Sequence, residues 1–149
     1  MNTFKLILCP VDFSGTSTHA LETAIELAKQ LNTKIHLLHV YQYTAFSMPE
    51  ADLATQIDIS IQDDYIKRLR KQLDDLCNKY SDSGIAIDST LAEGVPYVEI
   101  VQAAKDINAD LIVLGTHGRT GLSHMLLGSV AERVVRSSTV PVLSVPDKL

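Results

Sequence analysis

The chain has 149 residues, 46% of them hydrophobic and 21% charged, and a formal net charge of −5. That length is the prior for one domain, read as residues 1–149, with enough interior to support a core without staples. The acidic balance argues against a non-specific grip on nucleic acid or an anionic membrane, so any phosphate must be held by local dipoles, a few side chains or a metal.

The first apolar run, Leu6 to Cys9, stops at Pro10 and Asp12, too short for a secretory signal or a membrane span. No later stretch reaches the ~18 uninterrupted apolar residues a span needs. Cys9 and Cys77 stand in no metal or redox spacing. The expectation is a soluble, cytoplasmic protein with neither nucleic acid nor membrane as a partner.

Phe4 to Val11 reads as a short buried strand. The period then changes. Ala20, Leu21, Ala24, Ile25, Leu27, Ala28 and Leu31 mark one face of a helix over Thr16–Leu31, with Ser14 or Thr16 as N-cap and Asn32 at its end. Lys34–Val40 is a second strand. Tyr41–Glu50 carries Pro49 and little pattern, so it reads as a loop that either covers a ligand or merely connects. A long amphipathic helix follows over about Ala51–Tyr80, with Ile57, Ile61, Tyr65, Leu69, Leu73 and Leu76 three or four apart. Ile85–Leu91 alternates as a third strand. Pro96 is placed for the first position of a helix running to Asn108, Asp110–Gly115 is a continuously apolar fourth strand, Ser129–Arg136 is helical, and Thr139–Val145 is a fifth strand.

Alternating strands and helices with near-continuous apolar strands predict an α/β fold: an open, doubly wound, five-stranded parallel sheet with helices on both faces, Rossmann-like in architecture. In such sheets ligands bind beyond the carboxyl ends of the strands, where the strand order reverses. Three strand ends carry unusual residues there: Cys9–Asp12, His39–Tyr41 and Gly115–Gly118. They surround one crevice if the first and fourth strands are neighbours.

The fourth strand end is the most informative. Gly115, Gly118, Gly121 and Gly128 are four of the chain's seven glycines, and Gly128-Ser129 opens a helix. Glycine lets backbone approach a ligand, and a helix start offers unpaired N–H groups to an anion. Thr116, Thr120, Ser123 and Ser129 add hydroxyls, while His117, Arg119 and His124 add donors. A backbone-built phosphate cradle is one reading; a tight strand-to-helix connection is the plainer one. Neither Gly-x-x-x-x-Gly-Lys-Ser/Thr nor Gly-x-Gly-x-x-Gly occurs, which removes the Walker and dinucleotide loops.

Gly115-x2-Gly118-x9-Gly128-Ser129 is similar to the nucleotide-binding signature of universal stress proteins, in the branch whose members bind ATP. Pro10-Val11-Asp12-Phe13-Ser14, Leu38-His39-Val40 and Pro141–Val145 also resemble that family, so the likeness runs through the whole chain. The resemblance implies that Pro10, Asp12 and Val40, with Val11 beside them, frame the adenosine. It also implies that the phosphates lie over Gly115, His117, Gly118, Gly128, Ser129 and the Val130 backbone, with Arg119 as a helper. Asp12 as a helix cap, Val40 as core and Arg119 as a solvated charge remain the alternatives. Mg²⁺ is expected on the phosphates, since no acidic set resembles a dedicated cage. In the family the last strand pairs with its copy, which implies a homodimer through Thr139–Val145.

His36 and His39 read as core or strand-end residues, and Cys9 as a small buried hydrophobe. The expected role is an ATP-dependent stress-response module acting as a dimer. A slow ATPase or phosphotransferase at the same site is the alternative, because Asp12, His117 and Arg119 form no convincing catalytic arrangement. A dimeric interaction protein with a relic loop is the third reading.

Overall fold

The computed structural model describes residues 4–43, 52–117 and 127–148. Five parallel strands, β1 (Leu6–Pro10), β2 (Lys34–Tyr41), β3 (Ile87–Glu93), β4 (Leu111–Gly115) and β5 (Val142–Val145), form one sheet in the order β3-β2-β1-β4-β5. Four helices connect them: α1 (Gly15–Leu31), α2 (Asp52–Lys79), α3 (Pro96–Asp106) and α4 (Ser129–Ser137). The predicted doubly wound α/β sheet is therefore the observed fold, and β1 and β4 are neighbours.

Period-two alternation along β1 divides the core between the two faces. Ile7, Cys9 and Val11 pack with Leu21, Ile25 and Leu73 on the α1/α2 face. Leu8 points the other way, to Ile100, Ala104 and Val134 of α3 and α4. Ala20, Ala24 and Ala28 are fully buried, so small side chains at helical spacing bring α1 close to the sheet.

Each helix boundary has a local cause. The Ser14 hydroxyl accepts the Ser17 N–H and caps α1, while Asn32 closes it in the left-handed region at φ 53°. Pro96 starts α3, and the chain leaves the helix through Ile107 and a left-handed Asn108 at φ 54°. That ends α3 two residues before the predicted limit.

Other boundaries also shift. β3 begins at Ile87 because Gly84, at φ 81°, still turns the chain and the Ile85 N–H is held by the Ser83 hydroxyl. It runs on to Glu93, opposite Tyr41. β5 is shorter than the predicted Thr139–Val145, since the Val140 N–H goes to the Ser138 hydroxyl and Pro141 has no N–H. In α2 the apolar stripe holds at Leu69 and Leu73, but Ile61 is 54% exposed. Residues 44–50 of the predicted Tyr41–Glu50 loop, and Ala51 of the predicted helix, lie outside the described residues.

Candidate functional site

The C-terminal end of β1 is a tight turn into α1. Val11 donates its N–H to Leu38 O at 2.8 Å, and its carbonyl accepts His39 Nδ1–H at 2.7 Å. The His39 ring, 8% exposed, also packs on Phe13 with centroids 4.6 Å apart. Phe13 sits at φ 65°, a left-handed conformation uncommon for an aromatic residue, held between the Asp12 and Ser14 contacts. The Asp12 N–H donates to Ser17 Oγ, and its carboxylate accepts the Ser14 N–H, both at 3.0 Å. Asp12 therefore has the turn-stabilising role that was one of its two readings.

Pro10 is the last residue of β1, paired with Leu38, and Val40 is half-buried on the α3 face. Across the sheet, Gly115 ends β4. A Cβ there would lie 2.8 Å from Thr16 Cγ2, so glycine at this point lets α1 approach the strand end. Thr116 donates its N–H to Val145 O at 2.9 Å, and its hydroxyl lies 3.0 Å from His117 Nδ1.

Gly128 lies against the same strand end. The Gly128 N–H donates to the Thr116 carbonyl, and Gly128 then serves as N-cap of α4 at φ −71°, ψ 165°. Gly128 has no side chain with which to cap α4, unlike Ser14 at α1. Its first-turn N–H groups, those of Ser129 and Val130 among them, have no partner within the helix. Gly118 and Arg119, with Thr120, Gly121, Ser123 and His124, lie outside the described residues.

The sheet order thus brings together Pro10, Val11 and Asp12 at the end of β1, Val40 on β2, Gly115 and His117 at the end of β4, and Gly128, Ser129 and Val130 at the start of α4. Two residues escaped the sequence reading. Thr16, read as a possible cap, instead packs over Gly115 and donates its hydroxyl to Asp147 Oδ1. Asp147 follows β5, with Oδ2 3.9 Å from His117 Nδ1. A charge in a terminal segment carries no motif, so nothing local pointed to it.

Cys9, fully buried beside the crevice, has its thiol pushed up to about 12 by burial, which makes it an inert core residue. Among the described residues no group of three or more His, Cys, Asp or Glu side chains is arranged to hold a metal. None of the described helices is long and apolar enough to cross a membrane.

These features define a doubly wound α/β protein whose candidate site lies at the topological switch point. Residues 3–146 match the universal stress protein family, and the chain belongs to it. It is 35% identical to universal stress protein MJ0531 of Methanocaldococcus jannaschii over 144 residues, covering 97% of this chain and 83% of that one. The solved structure of MJ0577, another universal stress protein of that organism, superposes with a TM-score of 0.83 at 30% identity, covering 99% of both chains. A universal stress protein solved in complex with cAMP shares the fold at TM-score 0.72 and 23% identity, covering 97% of this chain and 98% of that one.

Proposed function

We propose that this chain binds an adenine nucleotide, ATP foremost with Mg²⁺ on its phosphates, and acts as a nucleotide-dependent stress-response module in homodimeric, cytoplasmic form. The reading takes the chain as one domain from end to end. One observation carries it: the Gly128–Thr116 hydrogen bond draws the side-chain-uncapped start of α4 to the end of β4, beside the switch point.

The adenosine contacts fall to Pro10, Val11, Asp12 and Val40. The hydrogen bonds already made by the Val11 N–H and carbonyl leave Val11 to supply shape, while the Asp12 carboxylate is the acceptor for a ribose hydroxyl. The phosphates fall to Gly115, His117, Gly118, Arg119, Gly128, Ser129 and the Val130 N–H. With no metal-holding cluster among the described residues, Mg²⁺ arrives coordinated mainly by phosphate and water. That a protein of this fold holds cAMP is support at the level of fold only.

Binding is preferred to chemistry on geometric grounds. Hydrolysis needs a group aimed at the attacking water. Asp12 already accepts the Ser14 N–H, and His117 is turned to Thr116 and Asp147.

Calorimetric titration with ATP, ADP and AMP, beside a steady-state hydrolysis assay, tests the proposal. Saturable ATP binding with Kd below about 1 mM is expected. Its absence would refute the reading, and turnover at or above ~1 s⁻¹ would put the ATPase first.

A further inference from the structure

We infer that Asp147 moderates the preference of the site for ATP, its carboxylate taking more affinity from nucleotides that carry more terminal phosphate charge. The inference rests on the nucleotide reading above and adds a selectivity residue to it.

The order of the strand ends supplies the geometry. Moving across the sheet from β2 through β1 and β4 to β5, they present Val40, then Pro10–Asp12, then Gly115–His117, then Val145–Asp147. Neighbouring strands are about 4.8 Å apart, so a nucleoside at the β2 and β1 ends directs its phosphate chain about 5–10 Å sideways, toward β4 and β5. Asp147 lies at the far side of that path.

Its position is held from several directions. The Thr116 N–H to Val145 O bond at 2.9 Å anchors the end of β5 to β4. Asp147 Oδ1 accepts the Thr16 hydroxyl from the first turn of α1, and Oδ2 lies 3.9 Å from His117 Nδ1. The adjacent cation does not neutralise it: Lys148 Nζ is turned to Glu22 Oε2 at 3.3 Å. That pairing holds the Glu22 carboxyl below the usual carboxylate range. A groove between α1 and the segment after β5 is lined by Thr16, His19, Glu22, Asp147 and Lys148, so Asp147 is a fixed negative charge on its rim.

Like charges repel in proportion to their number, so the affinity that Asp147 removes grows with each added terminal phosphate. Asp147 is 54% exposed, and solvent screens it. The effect is therefore about three- to tenfold for ATP rather than larger.

The test is calorimetric titration of wild type, Asp147→Asn and Glu26→Gln with AMP, ADP and ATP in EDTA at fixed ionic strength, with thermal unfolding as the check on folding. Asp147→Asn is expected to tighten ATP by about three- to tenfold and AMP by less than about twofold, with ADP between. Glu26→Gln, which removes a charge on α1 paired with Lys29 and leaves the Lys148–Glu22 pair intact, is expected to keep the wild-type ATP-to-AMP ratio. Equal changes for AMP and ATP, no change, or a weaker ATP complex would overturn the inference; the last would make Asp147 a positioning residue for His117. If wild type binds and Asp147→Asn behaves identically, the inference alone fails. If neither protein binds any of the three nucleotides, the nucleotide reading fails with it. Binding by Asp147→Asn alone would support both.

Discussion

A Cβ built on Gly128 would stand 2.7 Å from the carbonyl oxygen of Thr116, the same oxygen that accepts the Gly128 N–H. Glycine is needed here for close backbone approach and not for an unusual φ, since Gly128 is extended at φ −71°. Gly128→Ala should therefore lose about 1–3 kcal/mol, as over-packed sites do, and lower the urea midpoint without changing the m-value. An unchanged midpoint would show that the carbonyl yields freely. A larger side chain such as valine would disturb the loop as well as any ligand, so Gly128 is a poor place to isolate phosphate contacts.

Ser129 isolates them better. It is the first residue of α4, and the preceding Gly128 has the extended conformation favoured before proline. Ser129→Pro removes one N–H and one hydroxyl while placing proline at the helix position that tolerates it best. A charge-assisted hydrogen bond contributes about 1.5–3 kcal/mol, so losing one weakens ATP about 10- to 150-fold. Titration calorimetry reads this, with a near-wild-type melting temperature as the control. Unaltered affinity would remove the α4 start from the phosphate site.

The fold was legible because β1, β2 and β4 are short apolar runs, buried from both faces, separated by helix-period segments. That order marked the strand ends around the crevice, while Pro10, Asp12 and Val40 as adenosine contacts came from the family resemblance. What stayed hidden was the partner of each polar group. Asp12 was a cap or a ligand residue until the Ser14 N–H was found on its carboxylate. His39 gave no sign that it holds the Val11 carbonyl, because that contact joins residues 28 apart through tertiary packing. Asp147 reaches Thr16 across a separation of 131 residues, which no local pattern encodes.

Cys9 gives a pH prediction with a definite sign. Burial raises its thiol from 9.0 to about 12 in the folded chain. Above pH 9 the unfolded chain ionises this thiol while the folded chain keeps it protonated, so the unfolded state binds fewer protons and stability falls. The stabilising contribution is whole below pH 9 and is lost toward pH 12, at up to about 1.4 kcal/mol per unit. Urea unfolding of wild type and Cys9→Ala at pH 8 and pH 10 checks it. Cys9→Ala is less stable at pH 8 through the cavity it leaves, and the gap should narrow at pH 10. A constant gap would mean that the thiol titrates alike in both states.

The two sheet edges differ in what they offer a second copy. On β3, Asp88 and Glu93 are exposed charges, a common protection against edge pairing. On β5, Val142–Val145 carries no charge, pairs only with β4, and leaves Leu143 38% exposed. Pro141 precedes the strand, so it removes no N–H from the free edge between Val142 and Val145. If the homodimer forms through this segment, Leu143→Asp places a charge on the paired edge without entering the core. Sedimentation at micromolar concentration is expected to show a dimer for wild type and a monomer of similar melting temperature for the variant. A monomeric wild type would remove the homodimer, and a dimeric Leu143→Asp would move the interface away from β5.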